Sequence, residues 1–173
     1  MQAILKAANR ATHGLNWLVG WLIATLLAVM TVLITWQVFA RYVMGSPLTF
    51  SEEIARFSMV WMTMLGAGYA FRYGALISVD IVSEFAPKRI ARFVEISVVL
   101  LVAVFALVLL KEGWSLAERV SAQTAPSTRI SMLWLYGAMP AGAVLILINA
   151  AGLLIDKATG EEPVLAEKEA LSE

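Results

Sequence analysis

Two arginines and two glutamates crowd into "ARYVMGSPLTFSEEIARF", Ala40 to Phe57, in a chain otherwise short of charge: Arg41, Glu52, Glu53 and Arg56. Paired carboxylates can serve as acid and base, and arginines beside them can hold an anion, so the residue types suit a transport or catalytic site. They suit assembly equally well. Pro47 after Ser46, or Ser51 before Glu52 and Glu53, starts a helix and sets both carboxylates against its positive end. Glu52 and Arg56 are four apart, share a helical face and can pair. Two readings follow: a capped helix with a compensated ion pair, or charges that meet another subunit.

The rest of the chain offers this cluster little with which to do chemistry. The sequence contains no cysteine, which removes disulfides, thiolate nucleophiles, iron–sulfur clusters and thiolate zinc sites and leaves the redox compartment unreadable. His13 is the sole histidine, so bis-histidine haem ligation, a two-histidine zinc motif and a histidine triad within one chain are excluded. No phosphate-binding Gly-x-x-x-x-Gly-Lys occurs, and Gly66–Gly68 lacks the strand that a dinucleotide fingerprint requires. These readings predict no enzyme, no catalytic residue, no metal and no cofactor. An ion-coupled pump acting alone would place an ionisable group deep in a membrane span, and none stands there. Asn149, Gln37, Thr25, Thr31 and Thr63 are the polar residues available inside and are expected to bond between helices.

The elements that position the cluster are membrane helices. Hydrophobic residues make up 60% of the 173 and charged residues 15%, against roughly 45–50% and 25% in soluble domains. The formal net charge is zero, which argues against nucleic acid as a partner. Leu15–Ala40 and Ile130–Ile155 are uncharged runs of 26 residues, each roughly 39 Å as helix and longer than a bilayer core of roughly 30 Å. The first is too long for the apolar core of a signal peptide and reads as a retained span. Phe57–Phe71 and Ile96–Leu110 offer 15 uncharged residues each, extended by flanking charges that can snorkel, Arg56 and Arg72 for the second span and Arg92, Glu95 and Lys111 for the third. The expectation is an all-α integral membrane fold over residues 1–158, with spans near 15–40, 54–76, 90–112 and 130–155, and an acidic, disordered tail at 159–173. With the N-terminus inside, eight basic residues lie in cytoplasmic segments and five in outer loops, which places both termini in the cytoplasm.

Finer features follow. Ile77, Ile81, Val82 and Phe85 share a helical face, as in a short amphipathic helix lying in the interface. The third helix should project past the bilayer until "TAPST" stops it, with Ser127 or Thr128 capping the fourth. Pro140 should kink the fourth span and deprive the Tyr136 carbonyl of its helical donor. Gly66, Ala70 and Gly74 recur every four residues and let another backbone approach, as do Gly137 with Ala141 and Ala138 with Gly142; the neighbour is either internal or another protein. No internal repeat is evident.

Arg41-Tyr42, Ser46-Pro47-Leu48, Ser51-Glu52-Glu53-Ile54-Ala55-Arg56, Trp61, Gly66-Ala67, Arg72, Gly74 and Ile77-x-Val79-Asp80 together resemble the small membrane subunit, DctQ-like, of tripartite ATP-independent periplasmic (TRAP) transporters. The resemblance implies a four-helix bundle with an interfacial helix in a bacterial inner membrane, bound to lipid and to a large multi-span permease subunit. That large subunit would carry substrate and sodium ions, while a soluble periplasmic binding protein delivers organic anions such as dicarboxylates, keto acids or sialic acids. The small subunit would act as a scaffold and contribute to docking the periplasmic protein. On this reading Arg41, Tyr42, Pro47, Glu52, Glu53, Arg56, Trp61, Gly66, Ala70, Arg72, Gly74 and Asp80 serve assembly. Leu76 and Ser78 stand where the family often has histidine and arginine, so no proton-relay or anion role carries over to them. The alternative is a membrane anchor of a respiratory enzyme complex; a homodimeric four-helix exporter would need a membrane-embedded acid.

Overall fold

A computed structural model describes residues 2–45, 49–85 and 87–159, with side chains described for 10–45, 49–73, 87, 90–94 and 96–156. Four long helices and one short one follow in order: α1 Gln2–Tyr42, α2 Thr49–Phe85, α3 Lys88–Arg119, α4 Leu133–Tyr136 and α5 Ala138–Thr159. Among the described residues, α1, α3 and the α4–α5 unit are long and apolar enough to cross a membrane. The 37 residues of α2 reach roughly 55 Å, but α2 is not one of the three: glycines, Thr63 and Arg56 dilute its apolar stretch.

The expected interfacial helix at 77–85 is not a separate element. Backbone hydrogen bonding continues without a break from α2 to Phe85, because nothing between Gly74 and Phe85 removes a donor; Pro87 is the first residue that does. The side chains that carried its expected amphipathicity, and those of Gly74 and Asp80, lie outside the described set, as do Pro47 and the tail from 160 onward. Helix α3 runs to Arg119, projecting beyond its uncharged run as expected.

The fourth span breaks where proline predicts. Pro140 has no N–H to offer the Tyr136 carbonyl, and the helix divides at Gly137. Backbone bonds flank the break, Gly137 N–H to Leu133 O at 2.7 Å and Ala141 N–H to Gly137 O at 3.2 Å.

Helix α5 is the centre. In their most apolar stretches 56% of the residues of the α4–α5 unit are buried, against 6% in α1 and 12% in α3, because α5 packs along both α2 and α3, and α1 lies chiefly on α2. Val19 of α1, Leu65 of α2 and Leu145 of α5 form the core, with Leu15, Ile23, Trp61 and Tyr69 against it. Close approach of α2 and α5 depends on two glycines: a Cβ on Gly68 would meet Leu145 Cδ2 at 2.9 Å, and one on Gly142 would meet the Met64 carbonyl oxygen at 2.7 Å. The Ala138–Gly142 pair is therefore an internal contact. Gly66 is the opposite case, since a Cβ there would meet nothing within 4 Å, and Ala70 is exposed.

Polar residues within the helices divide into two kinds. Thr25, Thr31 and Thr63 do not bond between helices as expected; each hydroxyl donates to the carbonyl four residues earlier, Trp21, Leu27 and Met59, at 2.8 Å. That bond satisfies the hydroxyl within its own turn. Valine at Thr25 or Thr31 should accordingly shift detergent-solubilised stability by no more than about 0.5 kcal/mol, measured as the unfolding midpoint. Asn149 does bond between helices, donating to Gly68 O at 2.8 Å and to Asn16 Oδ1 at 3.0 Å, while Asn16 Nδ2 donates to Asn149 Oδ1 at 2.6 Å. Asn16 also reaches the Thr12 carbonyl at 2.8 Å. The two amides join α1, α2 and α5 in one buried polar knot.

Candidate functional site

The charge cluster lies where α2 begins, against the connection between α3 and α4. Val120 ends α3, and residues 121–132 close on themselves. Gln123 N–H donates to Val120 O at 2.9 Å, Ala125 N–H to Ile130 O at 2.9 Å, Arg129 N–H to Ala125 O at 3.0 Å and Met132 N–H to Gln123 O at 2.9 Å, and Ser131 Oγ donates to Ser121 O at 2.7 Å. Arg129 turns the chain with φ 56°, a left-handed conformation uncommon outside glycine. Ser127 and Thr128 do not cap the fourth span as expected. They stand six and five residues before α4 begins at Leu133, and the first turn instead uses Ser131, whose hydroxyl accepts from Leu133 N–H at 3.2 Å.

Glu53 takes the N–H groups of Ser127 and Thr128. Its carboxylate accepts from Ser127 N–H at 2.8 Å, from Thr128 N–H at 2.8 Å and from Thr128 Oγ1 at 2.9 Å. Two successive backbone donors and a hydroxyl converging on one carboxylate make a strong acceptor site, since hydrogen bonds to an ionised group are short and charge-assisted. Burial opposes the charge, but the hydrogen bonds from Ser127 and Thr128 outweigh it and hold the Glu53 carboxyl below the usual carboxylate range. Such a group contributes stability above its unfolded pKa and loses it as pH falls through the folded value. A spin label on Thr124→Cys should therefore gain mobility as pH drops below the ordinary carboxylate range. In Glu53→Gln, which cannot keep the charged acceptor, the label should be mobile at neutral pH and insensitive to acid.

Glu52 and Arg56 take no part in this clasp. They pair at 3.7 Å with side chains 60% and 62% exposed, and Gln37 of α1 makes a long 3.5 Å contact to Glu52. An ion pair so open to solvent adds little stability. Thr49, Glu52, Glu53, Arg56 and Phe57 of α2, with Ala125, Pro126, Ser127, Met132 and Leu135 opposite, line a groove of about 210 Å³. Arg41 stays exposed, its guanidinium 5.9 Å from the Tyr42 ring. No group of three or more metal-ligating side chains occurs among the described residues.

Two other residues expected in assembly are held inside the chain. Trp61 donates its indole N–H to Trp134 O of α4 at 2.8 Å. Arg72 does not snorkel: it is buried and pairs with Asp156 of α5 at 2.7 Å, the side chains 6% and 8% exposed. The two charged residues that end the apolar stretches of α2 and α5 thus neutralise each other.

The arrangement is a set of helix-to-helix fastenings with an open groove. Residues 30–160 match the family model described as tripartite ATP-independent periplasmic transporters, DctQ component. The chain belongs to this family. The DctQ chain is 25% identical over 122 residues to the sialic acid TRAP transporter small permease protein SiaQ of Vibrio cholerae, covering 69% of each chain. It is 30% identical over 113 residues to the sialic acid TRAP transporter permease protein SiaT of Haemophilus influenzae, covering 65% of the DctQ chain and 18% of SiaT. A transport component is thereby favoured over the respiratory anchor.

Within the DctQ chain the sequence motif is now divided by role. Glu53, Trp61 and Arg72 face inward and fasten α2 to the loop, to α4 and to α5. Arg41, Tyr42, Glu52, Arg56 and Ala70 remain outward, and the space beside Gly66 is open. Asn16 and Asp156 were missed by sequence reasoning; the available signal was that polar residues near the ends of two apolar runs need partners.

Proposed function

We propose that this DctQ component is a non-catalytic auxiliary subunit of a secondary active TRAP transporter, a scaffold on which the large permease subunit is held in the bacterial inner membrane. Its observational support is the family match together with the fate of two buried charges: Arg72 and Asp156 pair with each other at the ends of their spans and tie two helices. A substrate pathway would require polar groups facing a cavity at membrane depth. The groove with charged residues lies instead at the end of the bundle.

On this reading α2 is the second of four spans, sheltered by α1 and α5, and both termini are cytoplasmic, which sets the groove and the 121–132 loop on the periplasmic side. The partner subunit carries a sodium-coupled organic anion, of which a sialic acid, a dicarboxylate or a keto acid is the class, and a periplasmic binding protein delivers it. SiaT supports the pairing with a large permease, since the region resembling this chain is 18% of that permease protein. The test is affinity purification from native membranes in mild detergent with identification of what accompanies the chain. A large multi-span permease is expected; a flavin or iron–sulfur subunit in its place would refute the proposal.

A further inference from the structure

The outward residues of α2 form one strip. Glu52, Arg56, Met59, Thr63, Ala67 and Ala70 are all exposed and are spaced by three and four, so they lie along a single helical face. Among the described residues the strip stays open beyond the long contact of Gln37 on α1 to Glu52, and its upper end is the groove, which shares Glu52 and Arg56 with it. The strip differs from the outward faces of α1 and α3. Those present Trp, Phe, Leu and Val, such as Leu101, Val104 and Phe105, whereas beyond Met59 the α2 strip presents Thr63, Ala67 and Ala70. Acyl chains have no use for an ion pair running into small and hydroxylated residues, but a protein helix can approach such a face closely. A soluble protein could reach the groove but not Thr63 or Ala67, two to four turns further along α2.

We infer that the α2 strip and the groove above it are one docking surface, and that its occupant is the large permease subunit, a membrane helix lying along Met59–Ala70 with its outer end seated between α2 and the loop. The inference rests on the proposed partner and assigns it a place. The Glu53 clasp keeps the far wall of the groove, Pro126 and Ser127, at its distance from α2, and so acts on docking through the loop.

Because the chain has no cysteine, single thiols can be placed at Met59→Cys on the strip, Thr49→Cys in the groove and Val104→Cys on α3, each labelled with a maleimide benzophenone and irradiated in membranes containing the large subunit. Photoadducts to the large subunit from Met59→Cys and Thr49→Cys, but not from Val104→Cys, are expected. Ala67→Trp, which fills the strip without touching the interior, should lower recovery of the large subunit about tenfold while leaving monomer yield and helix content unchanged. If the large subunit copurifies yet adducts form only from Val104→Cys, only with the soluble binding protein or only with a second copy of this chain, the surface is wrong and the proposed function stands. If the large subunit does not copurify at all, the proposed function fails and the surface with it.

Discussion

Arg72→Met will destabilise the chain by about 3–5 kcal/mol, and Arg72→Met with Asp156→Leu will recover most of that loss. The pair is 2.7 Å apart with both side chains almost wholly buried, so removing the guanidinium leaves the buried Asp156 carboxylate without the positive charge that faces it. An uncompensated buried charge costs more than the pair itself gains, and replacing both ends by apolar groups of similar volume is often neutral. The effect spreads because Arg72 sits beside Gly152, where a Cβ would come 3.0 Å from its Nη1 and 3.3 Å from Thr12 Cγ2. Three helices meet at that point. Unfolding by denaturing detergent, followed by far-ultraviolet circular dichroism, separates the outcomes: a single variant as stable as the parent, or a double variant no better than the single, would show that the ion pair does not fasten α2 to α5.

Gly142→Ala and Gly66→Ala will move stability in opposite directions, although both glycines belong to small-residue repeats that look alike in sequence. At Gly142 the added methyl would stand 2.7 Å from the Met64 carbonyl oxygen, and backbone cannot rotate away as a side chain can. The axes of α2 and α5 must part. Gly142, Leu145 and Asn149 lie on one face of α5, so the same separation loosens Leu145 against Gly68 and stretches the 2.8 Å bond from Asn149 to Gly68 O. Overpacking of this kind costs about 1–3 kcal/mol. At Gly66 the methyl meets nothing within 4 Å, and alanine gains up to about 1 kcal/mol in helix propensity. Unfolding midpoints of the isolated chain decide between these; a loss at both positions would mean that the Gly66 face is packed.

Features set by neighbours along the chain were legible in the sequence. The lost bond at Pro140, the projection of α3 to Arg119 and the Glu52–Arg56 pair depend only on residues within a turn or on a helix boundary. The order of helices and the family motif were equally readable. Contacts between distant residues were not. Glu53 and its partners are 74 and 75 positions apart, and the donors are mostly backbone N–H groups, which no residue type announces. Arg72 beside an apolar run looks the same whether it snorkels or pairs, and only the register of α5 on α2 brings Asp156 to it. The threonines misled for a complementary reason: a hydroxyl in a membrane helix has a satisfactory acceptor one turn back, so it need not seek another helix. For the charge cluster, sequence left open a capped, compensated helix start or a subunit contact. The structure divides the residues between the two, with Glu53 turned inward to the loop and Glu52 and Arg56 left outward.

Reconstituted uptake tests the central claim, that this chain supports a transporter without transporting. Proteoliposomes containing the purified chain alone, and others containing the chain with its copurified large subunit, are loaded with a sodium gradient and the periplasmic binding protein charged with labelled organic anion. The account predicts accumulation only when both membrane subunits are present, with background uptake from this chain alone. Gradient-dependent accumulation by the chain alone would contradict it.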